Sequence, residues 1–333
     1  MSQKKIRVGI VAGGQSSEHE ISCVSAGGIL RAIDRSRFEP VLIGITKNGQ
    51  WVFPHEGQEL SIVDGTLPEI VEGTDVLIEE AMENVDLLFP ILHGPYGEDG
   101  TFQGLCEMLG MPYVGSGVLA SAVAMDKSFA KSIFASHGLN VAQGIVVTSA
   151  EGIDVSSLTF PVFVKPSSGG SSRGTTKVKK IDDVRAAVVE ALRFDSKVLI
   201  ESGVVGREIE CAVLEINGVP TASPLAEIII LGEHEFYDFD AKYLDGSTTI
   251  GSPTDLPPDV YAAIQRAAVQ AFTALGCAGL ARVDFFYADG QIVINEINTM
   301  PGFTETSVFP KLWQEAGKSY TELITQLIAS ALP

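Results

Sequence analysis

Three side chains with oxygen ligands, Asp284, Glu296 and Asn298, stand on two neighbouring apolar segments of this sequence. Residues 283–287 and 291–297 alternate or run apolar and are separated by a short turn that contains glycine, so they predict a β-hairpin. Glu296 and Asn298 are two positions apart and share one strand face, which Asp284 can face from the partner strand. Carboxylate and amide oxygens gathered in this way suit Mg²⁺, which also takes oxygens from substrate phosphates. The alternative is a solvated polar face on an ordinary hairpin.

A serine- and glycine-rich loop, residues 167–174, follows Lys165 at the end of another apolar segment. Its three glycines and four serines let the backbone approach an anion closely and offer N–H and hydroxyl donors to phosphate oxygens. The G-K-[ST] order of a Walker A motif is absent, and strand-forming residues rather than a helix follow the loop. Lys165 is a point charge placed to meet a phosphate. The alternative interpretation is a flexible hairpin loop.

Four further residues stand where a ligand could bind, and each also has a structural explanation. Glu18 lies where a strand meets a helix and either faces a cationic amine or, like Glu20, favours the helix dipole. His93 follows an apolar segment and either contacts substrate or binds loop backbone. Tyr243 lies in a long polar loop that predicts a lid, or it only packs that loop down. Arg282 either pairs with the nearby carboxylates or stabilises negative charge at a reacting acyl centre.

These residues need a scaffold, and the apolar pattern predicts an α/β fold, while the length of the chain predicts two or three domains. Strands at 6–12, 38–46 and 85–92 with a helix at 20–32 are typical of a parallel sheet with helices on both faces. Beyond them the pattern predicts helices at 125–137, 182–194, 259–275 and the C-terminus, strands at 160–166, 175–179, 198–201, 208–215 and 224–230, and a loop at 232–258. The domain boundaries are predicted at 1–122, 123–205 and 206–333, with two α+β lobes after the first domain.

Composition narrows the function classes. The 333 residues carry 42 acidic against 23 basic side chains, a formal charge of −19, which disfavours a nucleic-acid partner. A nucleotide site must therefore concentrate positive charge locally, and Lys127, Lys165, Lys177 and Lys242 are candidates. The four cysteines are widely spaced, which favours free thiols in a reducing compartment over zinc or disulfides. No signal-type core or membrane-length apolar segment occurs in the sequence, so we expect a cytoplasmic protein without a membrane partner.

Taken together, the motifs resemble those of the D-alanine–D-alanine ligases of the ATP-grasp family over nearly the whole chain. Six segments carry the resemblance in the same order: Gly13 to Ser22, His93 to Thr101, Gly115 to Lys127, Val164 to Ser172, Ala241-Lys242-Tyr243, and Asn295 to Gly302. The resemblance implies a preATP-grasp domain followed by two lobes that clasp ATP between them. It also implies that ATP phosphorylates one D-alanine carboxylate and that the amine of a second D-alanine attacks the acyl phosphate. A homodimer through the first domain is implied as well.

The resemblance assigns roles residue by residue. Glu18 would hold the ammonium of the first D-alanine in a triad with Ser171 and Tyr243, and Arg282 with the Gly302 N–H would bind the oxyanion. His93 and Ser307 would bind substrate, with Ser307 on the carboxylate of the second D-alanine. The residues assigned to ATP are Lys127, Lys165, Glu201, Glu208 and Lys242. Two Mg²⁺ ions, for which Mn²⁺ is a possible substitute, would be held by Asp284, Glu296 and Asn298. The loop at 167–174 departs from its relatives by lacking a charged pair before the glycines, and the segment 201–206 lacks their bulkier residues.

Alternatives remain within and beyond this resemblance. Tyr243 after Lys242 favours D-alanine as the second substrate over D-serine or D-lactate, which would make a mixed product. A non-catalytic nucleotide sensor would not need Asp284, Glu296 and Asn298 together with Arg282. A biotin-carboxylase-like enzyme would share the grasp but finds no support in the Glu18 segment.

Overall fold

The protein is described here by a computed structural model, which covers residues 4–55, 57–230 and 248–332. Three β-sheets organise these residues, each with its own set of helices. The α/β class that the apolar pattern predicted is confirmed. Lys242 and Tyr243 lie outside the described residues, as does most of the predicted loop at 232–258.

The first sheet has the strand order β4-β3-β2-β1-β5. Its strands β1, β2 and β5 are parallel, as predicted, while the short β3 and β4 add an antiparallel edge. The strands are β1 (Ile6–Gly13), β2 (Phe38–Ile45), β3 (Trp51–Phe53), β4 (Thr74–Asp75) and β5 (Leu87–Pro90), and the helices are α1 (His19–Ala32), α2 (Ile78–Glu83), α3 (Thr101–Leu109) and α4 (Val118–Met125). Because the carboxyl ends of β1 and β5 lie side by side, the loops that carry Glu18 and His93 leave the sheet at one edge.

The second sheet is a small antiparallel unit with the order β6-β9-β7-β8. It comprises β6 (Gly144–Val147), β7 (Val162–Pro166), β8 (Thr176–Val178) and β9 (Val198–Ser202), covered by a 3₁₀ turn (Ile181–Asp183) and α6 (Val184–Ala191). The serine- and glycine-rich loop joins β7 to β8, so it is a hairpin connection rather than a strand-to-helix turn. Lys165 and Glu201 stand on the neighbouring strands β7 and β9.

The third sheet is antiparallel with the order β12-β11-β10-β13-β14. It comprises β10 (Arg207–Ile216), β11 (Val219–Ile230), β12 (Thr248–Gly251), β13 (Leu280–Ala288) and β14 (Gln291–Asn298), with α7 (Pro258–Leu275), α8 (Val308–Glu315) and α9 (Tyr320–Ala331). The predicted hairpin is confirmed as β13 and β14. Residues 248–251 form a strand, so that part of the predicted loop was wrong; Thr249 and Ile250 pair with the edge of β11.

Two predicted helices are divided in the structure. The helix predicted at 125–137 breaks at Asp126, whose side chain accepts the Ser128 and Phe129 N–H groups and so begins α5 (Lys127–Ser136) as an N-cap. The predicted C-terminal helix is two helices, α8 and α9. Gly317, with φ +86°, follows the end of α8, and Ser319 starts α9 by a capping box with Glu322.

Helix α5 packs on the third sheet although the predicted boundary places it in the second domain. Phe134 is fully buried with Phe272, Phe285 and Ile294 of the third sheet and its helix α7. At the other end of the chain, α8 packs on β10 and β11 of the third sheet, and α9 contacts α1 and β5 of the first sheet as well as β10. The Tyr320 hydroxyl on α9 donates to the Phe303 carbonyl at 2.6 Å. This packing holds the residues that follow β14 beside the carboxyl edge of the first sheet. The domain boundaries themselves remain a prediction.

The thiols and the helices bear on two further expectations. Cys23, Cys106 and Cys211 are buried, Cys277 is half-buried, and all four are free. Within the described ranges no helix combines the length and the apolar character needed to cross a bilayer.

Candidate active site

Three carboxylates lie in one row across the third sheet. Glu210 on β10 is paired in register with Asp284 on β13, which is paired in turn with Glu296 on β14. Glu210 and Asp284 are buried, and the Glu296 side chain is 20% exposed. Like charges on facing strand positions repel one another, so the row needs cations beside it. Glu210 was missed from the sequence, although its place two residues after Glu208 on a strand was a signal that both face the same side.

The guanidinium of Arg282 supplies one of those cations. Its Nε and Nη2 donate to the two oxygens of Asp284, both at 2.7 Å, and its Nε lies 3.2 Å from Glu210 Oε2. Burial disfavours the charge, but Asp284 and Glu210 outweigh it and hold the pKa of Arg282 well above its usual range. The structure therefore shows Arg282 in ion pairs with Asp284 and Glu210.

Asn298 completes the predicted metal set. It is paired in register with Arg282, and its Nδ2 donates to Asp284 Oδ2 at 3.1 Å, which turns its amide oxygen away from that carboxylate. Within the described ranges, no three His, Cys, Asp or Glu side chains converge to hold a metal by themselves. The donor set of Asp284, Glu296 and Asn298 still fits Mg²⁺, because this ion commonly uses one or two carboxylates and completes its shell with water and substrate phosphate.

Lys127 connects the carboxylate row with the serine- and glycine-rich loop. Its Nζ donates to the Gly169 carbonyl at 2.5 Å and lies 3.5 Å from Glu296 Oε2. The loop is held in an unusual conformation, since Ser171 and Ser172 have φ values of +52° and +55°. Side-chain-bearing residues rarely adopt this region, and such strain is concentrated at functional sites.

Glu18 and Ser171 meet across 153 positions of the sequence. The Ser171 hydroxyl donates to Glu18 Oε1 at 2.6 Å, and both side chains are buried. Glu18 stands at the start of α1, yet its side chain accepts no hydrogen bond from the helix N-terminus, so it is not acting as a cap. A Cβ atom at Gly94 or at Gly170 would lie 3.0 Å from Glu18 Oε2, so glycine at both positions makes room for this carboxylate.

His93 and Glu98 lie in the loop after β5, and both approach the backbone of Met300. His93 Nδ1 is 3.0 Å from the Met300 carbonyl oxygen, and burial lowers the pKa of this histidine. Burial, followed by the nearby charge of Glu18, raises the pKa of Glu98 to about 8, while the N–H groups of Gly94 and Met300 act in the opposite direction. Glu98 was missed from the sequence, where it stands beside Asp99 in a glycine-rich loop.

The segment after β14 carries the other two predicted residues. A Cβ atom at Gly302 would lie 3.2 Å from Ser307 Oγ, so the two residues are close neighbours. Ser307 Oγ accepts the Thr304 N–H at 3.1 Å and lies 2.7 Å from the Thr304 hydroxyl. Ser307 is thus held by its own loop immediately before α8.

A buried cluster of two lysines and one glutamate lies between α5 and the second sheet. Lys131 Nζ is 2.7 Å from Glu201 Oε1, and Lys165 Nζ is 2.6 Å from Glu201 Oε2. Burial alone raises the pKa of Glu201, but Lys165 and Lys131 outweigh it and the pKa is lowered. Lys131 was missed from the sequence, although it stands one helical turn after Lys127 and so shares its face.

A cavity of about 520 Å³ lies among Lys127, the Lys131–Glu201–Lys165 cluster and the serine- and glycine-rich loop, and it is of the size that holds a small-molecule ligand. All the predicted ATP residues within the described ranges line it, together with Ser171, Glu296 and the segment 201–207. Glu18, His93, Arg282, Gly302 and Ser307 do not line this cavity, and His93 instead lines a second one of about 310 Å³ beside Trp51 and Tyr96.

Comparisons with known proteins agree over nearly the whole length. The family models described as D-ala D-ala ligase N-terminus and D-ala D-ala ligase C-terminus match residues 7–116 and 133–329. D-alanine–D-alanine ligases from Mycolicibacterium smegmatis and Paenarthrobacter aurescens are each 47% identical, with 98% of this chain and 96% or 95% of the relative covered.

Two solved structures extend the similarity to three dimensions. The VanG D-Ala:D-Ser ligase from Enterococcus faecalis is 33% identical with a TM-score of 0.82, covering 98% of this chain and 100% of that one. The D-alanine–D-alanine ligase from Bacillus anthracis complexed with ATP is 30% identical with a TM-score of 0.78, covering 98% and 97%.

Proposed function

This chain belongs to the D-alanine–D-alanine ligase family, and from that premise we propose how its side chains divide the work of joining two D-alanines. The chain has the ATP-grasp fold, and it is an ATP-dependent ligase that forms the C–N bond of D-alanyl-D-alanine for peptidoglycan synthesis. The observation that carries the site assignment is the position of Lys127, which touches both the serine- and glycine-rich loop and Glu296. It supports a nucleotide whose phosphates lie between that loop and the hairpin.

The large cavity takes ATP in this proposal. Lys127 and Lys165 contact the phosphates, with Lys242 as a third cation, while Glu201 and Glu208 face the adenine and ribose. The strained loop offers backbone N–H groups to the phosphates, which needs no side-chain charge. The lining of the cavity by four of these five residues supports this arrangement.

The two amino-acid substrates bind at the far side of the strained loop. Glu18 holds the ammonium of the first D-alanine, and its hydrogen bond to Ser171 fixes the carboxylate, with Tyr243 as the third member of the triad. Ser307 holds the carboxylate of the second D-alanine, and His93, which is anchored on the Met300 carbonyl, contacts substrate. Tyr243 favours D-alanine over a hydroxy acid as the second substrate.

The reaction needs positioning and charge neutralisation rather than a covalent enzyme nucleophile. The first D-alanine carboxylate oxygen attacks the terminal phosphorus of ATP, and ADP leaves. The amine of the second D-alanine then attacks the acyl carbon, the bond to the phosphate oxygen breaks, and phosphate leaves. The contact of Arg282 with Asp284 uses Nε and Nη2. In this proposal its Nη1 group donates to the developing oxyanion together with the Gly302 N–H.

Asp284, Glu296 and Asn298 would hold two Mg²⁺ ions, for which Mn²⁺ is a substitute. Bound there, the ions would supply positive charge to the phosphate oxygens. Glu210, the third carboxylate of the row, stays paired with Arg282 and keeps that guanidinium in place. The proposal also includes a cytoplasmic homodimer as the working form, as the family resemblance implies, without a nucleic-acid or membrane partner.

The decisive experiment measures phosphate release from ATP with Mg²⁺ and D-alanine alone, and then with D-serine or D-lactate as competing acceptor, with products identified by mass. We expect D-alanyl-D-alanine as the main product in each mixture. If the mixed product were in excess near neutral pH, the protein would instead be a D-alanine–D-serine or D-alanine–D-lactate ligase. Absence of D-alanine-dependent phosphate release would contradict the proposed function altogether.

A further inference from the structure

Lys131 is a buried cation next to the nucleotide cavity that none of the roles above uses. Its side chain is 8% exposed, and its Nζ approaches Glu201 Oε1 at 2.7 Å in an ion pair that is not aligned as a hydrogen bond. Lys165 holds the other oxygen of the same carboxylate at 2.6 Å. Glu201 therefore has one lysine on each oxygen, and both lysines line the cavity.

One lysine would be enough to neutralise Glu201. A second buried ammonium costs desolvation free energy, and burial does lower the pKa of Lys131. The cluster thus carries one more positive charge than the carboxylate requires. The charge of Glu296 also acts on Lys131, and the positive charge beside the cavity favours the binding of a further anion there.

Lys165 cannot serve Glu201 and a nucleotide phosphate equally well. A phosphate that takes up Lys165 would strip Glu201 of that partner, and a buried carboxylate left without a counter-ion is strongly unfavourable. Lys131 stands on α5 and Lys165 on β7, so Lys131 can stay beside Glu201 while Lys165 turns towards the ligand.

We propose that Lys131 is a positioning residue that keeps Glu201 neutralised and so releases Lys165 to the phosphates of ATP. The inference rests on the proposed function, because it takes Lys165 to be a phosphate ligand. It predicts that Lys131 affects the affinity for the phosphates and not the affinity for the adenosine part of the nucleotide.

The test compares the dissociation constants of ATP and adenosine, measured by titration calorimetry on the full-length protein. In Lys131→Met we expect ATP to bind about tenfold or more weakly, since Lys165 is now held by Glu201, while adenosine changes by no more than about twofold. Lys131→Arg should restore most of the ATP affinity. Lys180→Met, which removes an exposed lysine after β8, is the matched control and should leave both constants unchanged.

The double variant Lys131→Met with Glu201→Gln separates this role from a structural one. With no carboxylate to hold Lys165, the ratio of ATP to adenosine affinity should return towards the wild-type value, and this also covers a single variant that folds poorly. A ratio that stays low in the double variant, or an equal loss for ATP and adenosine in Lys131→Met, would overturn the inference. If the wild-type protein itself binds adenosine and ATP equally, the phosphate role of Lys165 in the proposed function fails first.

Discussion

The two charged clusters of the site have opposite balances. Across the third sheet, the carboxylates Glu210, Asp284 and Glu296 face the cations Arg282 and Lys127, so negative charge is in excess there among the described side chains. Between α5 and the second sheet, two lysines surround Glu201 and positive charge is in excess. Each imbalance is unfavourable by itself, because buried charge requires compensation.

The difference teaches what each region is built to receive. An acid-rich row on a rigid hairpin suits a cation, and a base-rich cluster beside a cavity suits the phosphates of a nucleotide. Lys127 is the link between them, since it lies next to Glu296 while it holds the loop at Gly169. A nucleotide with its metal ions would supply to each cluster the charge that it lacks.

The largest effect should come from changing the acid-rich row. Glu296→Gln keeps the shape of the side chain but removes one negative charge, so we expect phosphate release to fall by about 100-fold or more. The circular dichroism spectrum should stay that of the wild type, because this side chain is at the edge of the row and 20% exposed. Glu190→Gln on the outer face of α6 is the control. Near-normal turnover in Glu296→Gln would remove the metal assignment and leave the acid excess unexplained.

A change in the base-rich cluster of Lys131, Glu201 and Lys165 should lower the stability of the fold and not only the turnover. Glu201→Gln leaves two ammonium groups facing each other in a buried place, and we expect a loss of about 3–5 kcal/mol in the free energy of unfolding. Urea denaturation of the variant beside the wild type measures it. Because the pKa of Glu201 is lowered in the folded state, its contribution is present above its ordinary pKa and is lost as the pH falls through the lower folded value.

The loss of stability at low pH is a second measure of the contact between Glu201 and the two lysines. The wild type should lose stability below about pH 4, the ordinary range of a glutamate, and the variant should lack this part of the pH dependence. Equal acid sensitivity in both proteins would mean that the two lysines do not favour the ionised form of Glu201.

Much of the fold and of the candidate site could be predicted from local sequence patterns. The remainder depends on contacts between segments that are distant in sequence. The hairpin, the serine- and glycine-rich loop and the parallel strands follow from periods of two residues and from turn residues, which are properties of neighbours in sequence. Lys131 was missed because its partner is Glu201, and Glu98 was missed because it lies near the backbone of Met300. Both partners are distant in sequence and are brought near only by the packed fold. The division of the C-terminal helix was readable after all from the capping box at Ser319.

Glu98 tests how far the acid excess extends into the substrate region. Its pKa of about 8 means that folding favours the protonated carboxyl, so the wild type should lose stability as the pH rises from the ordinary glutamate range to about 8. Glu98→Gln, a neutral side chain of the same shape, should remove that slope, as followed by thermal unfolding between pH 5 and pH 9. Exposed Glu107→Gln on α3 should keep it. A slope that persists in Glu98→Gln would place the titrating group elsewhere.

The smallest effect is expected where an ion pair belongs to neither cluster. Arg185 Nη2 lies 2.5 Å from Glu151 Oε1, closer than either lysine approaches Glu201, but these side chains are 66% and 75% exposed. Water and salt screen such a pair, and holding two long side chains together costs conformational entropy, so its net contribution is close to nothing. Arg185→Ala should therefore leave the melting temperature, phosphate release and ATP affinity unchanged within error. A clear loss on any of these measures would mean that distance alone governs the ion pairs of this protein, and the contrast between the two buried clusters would then lose its basis in burial.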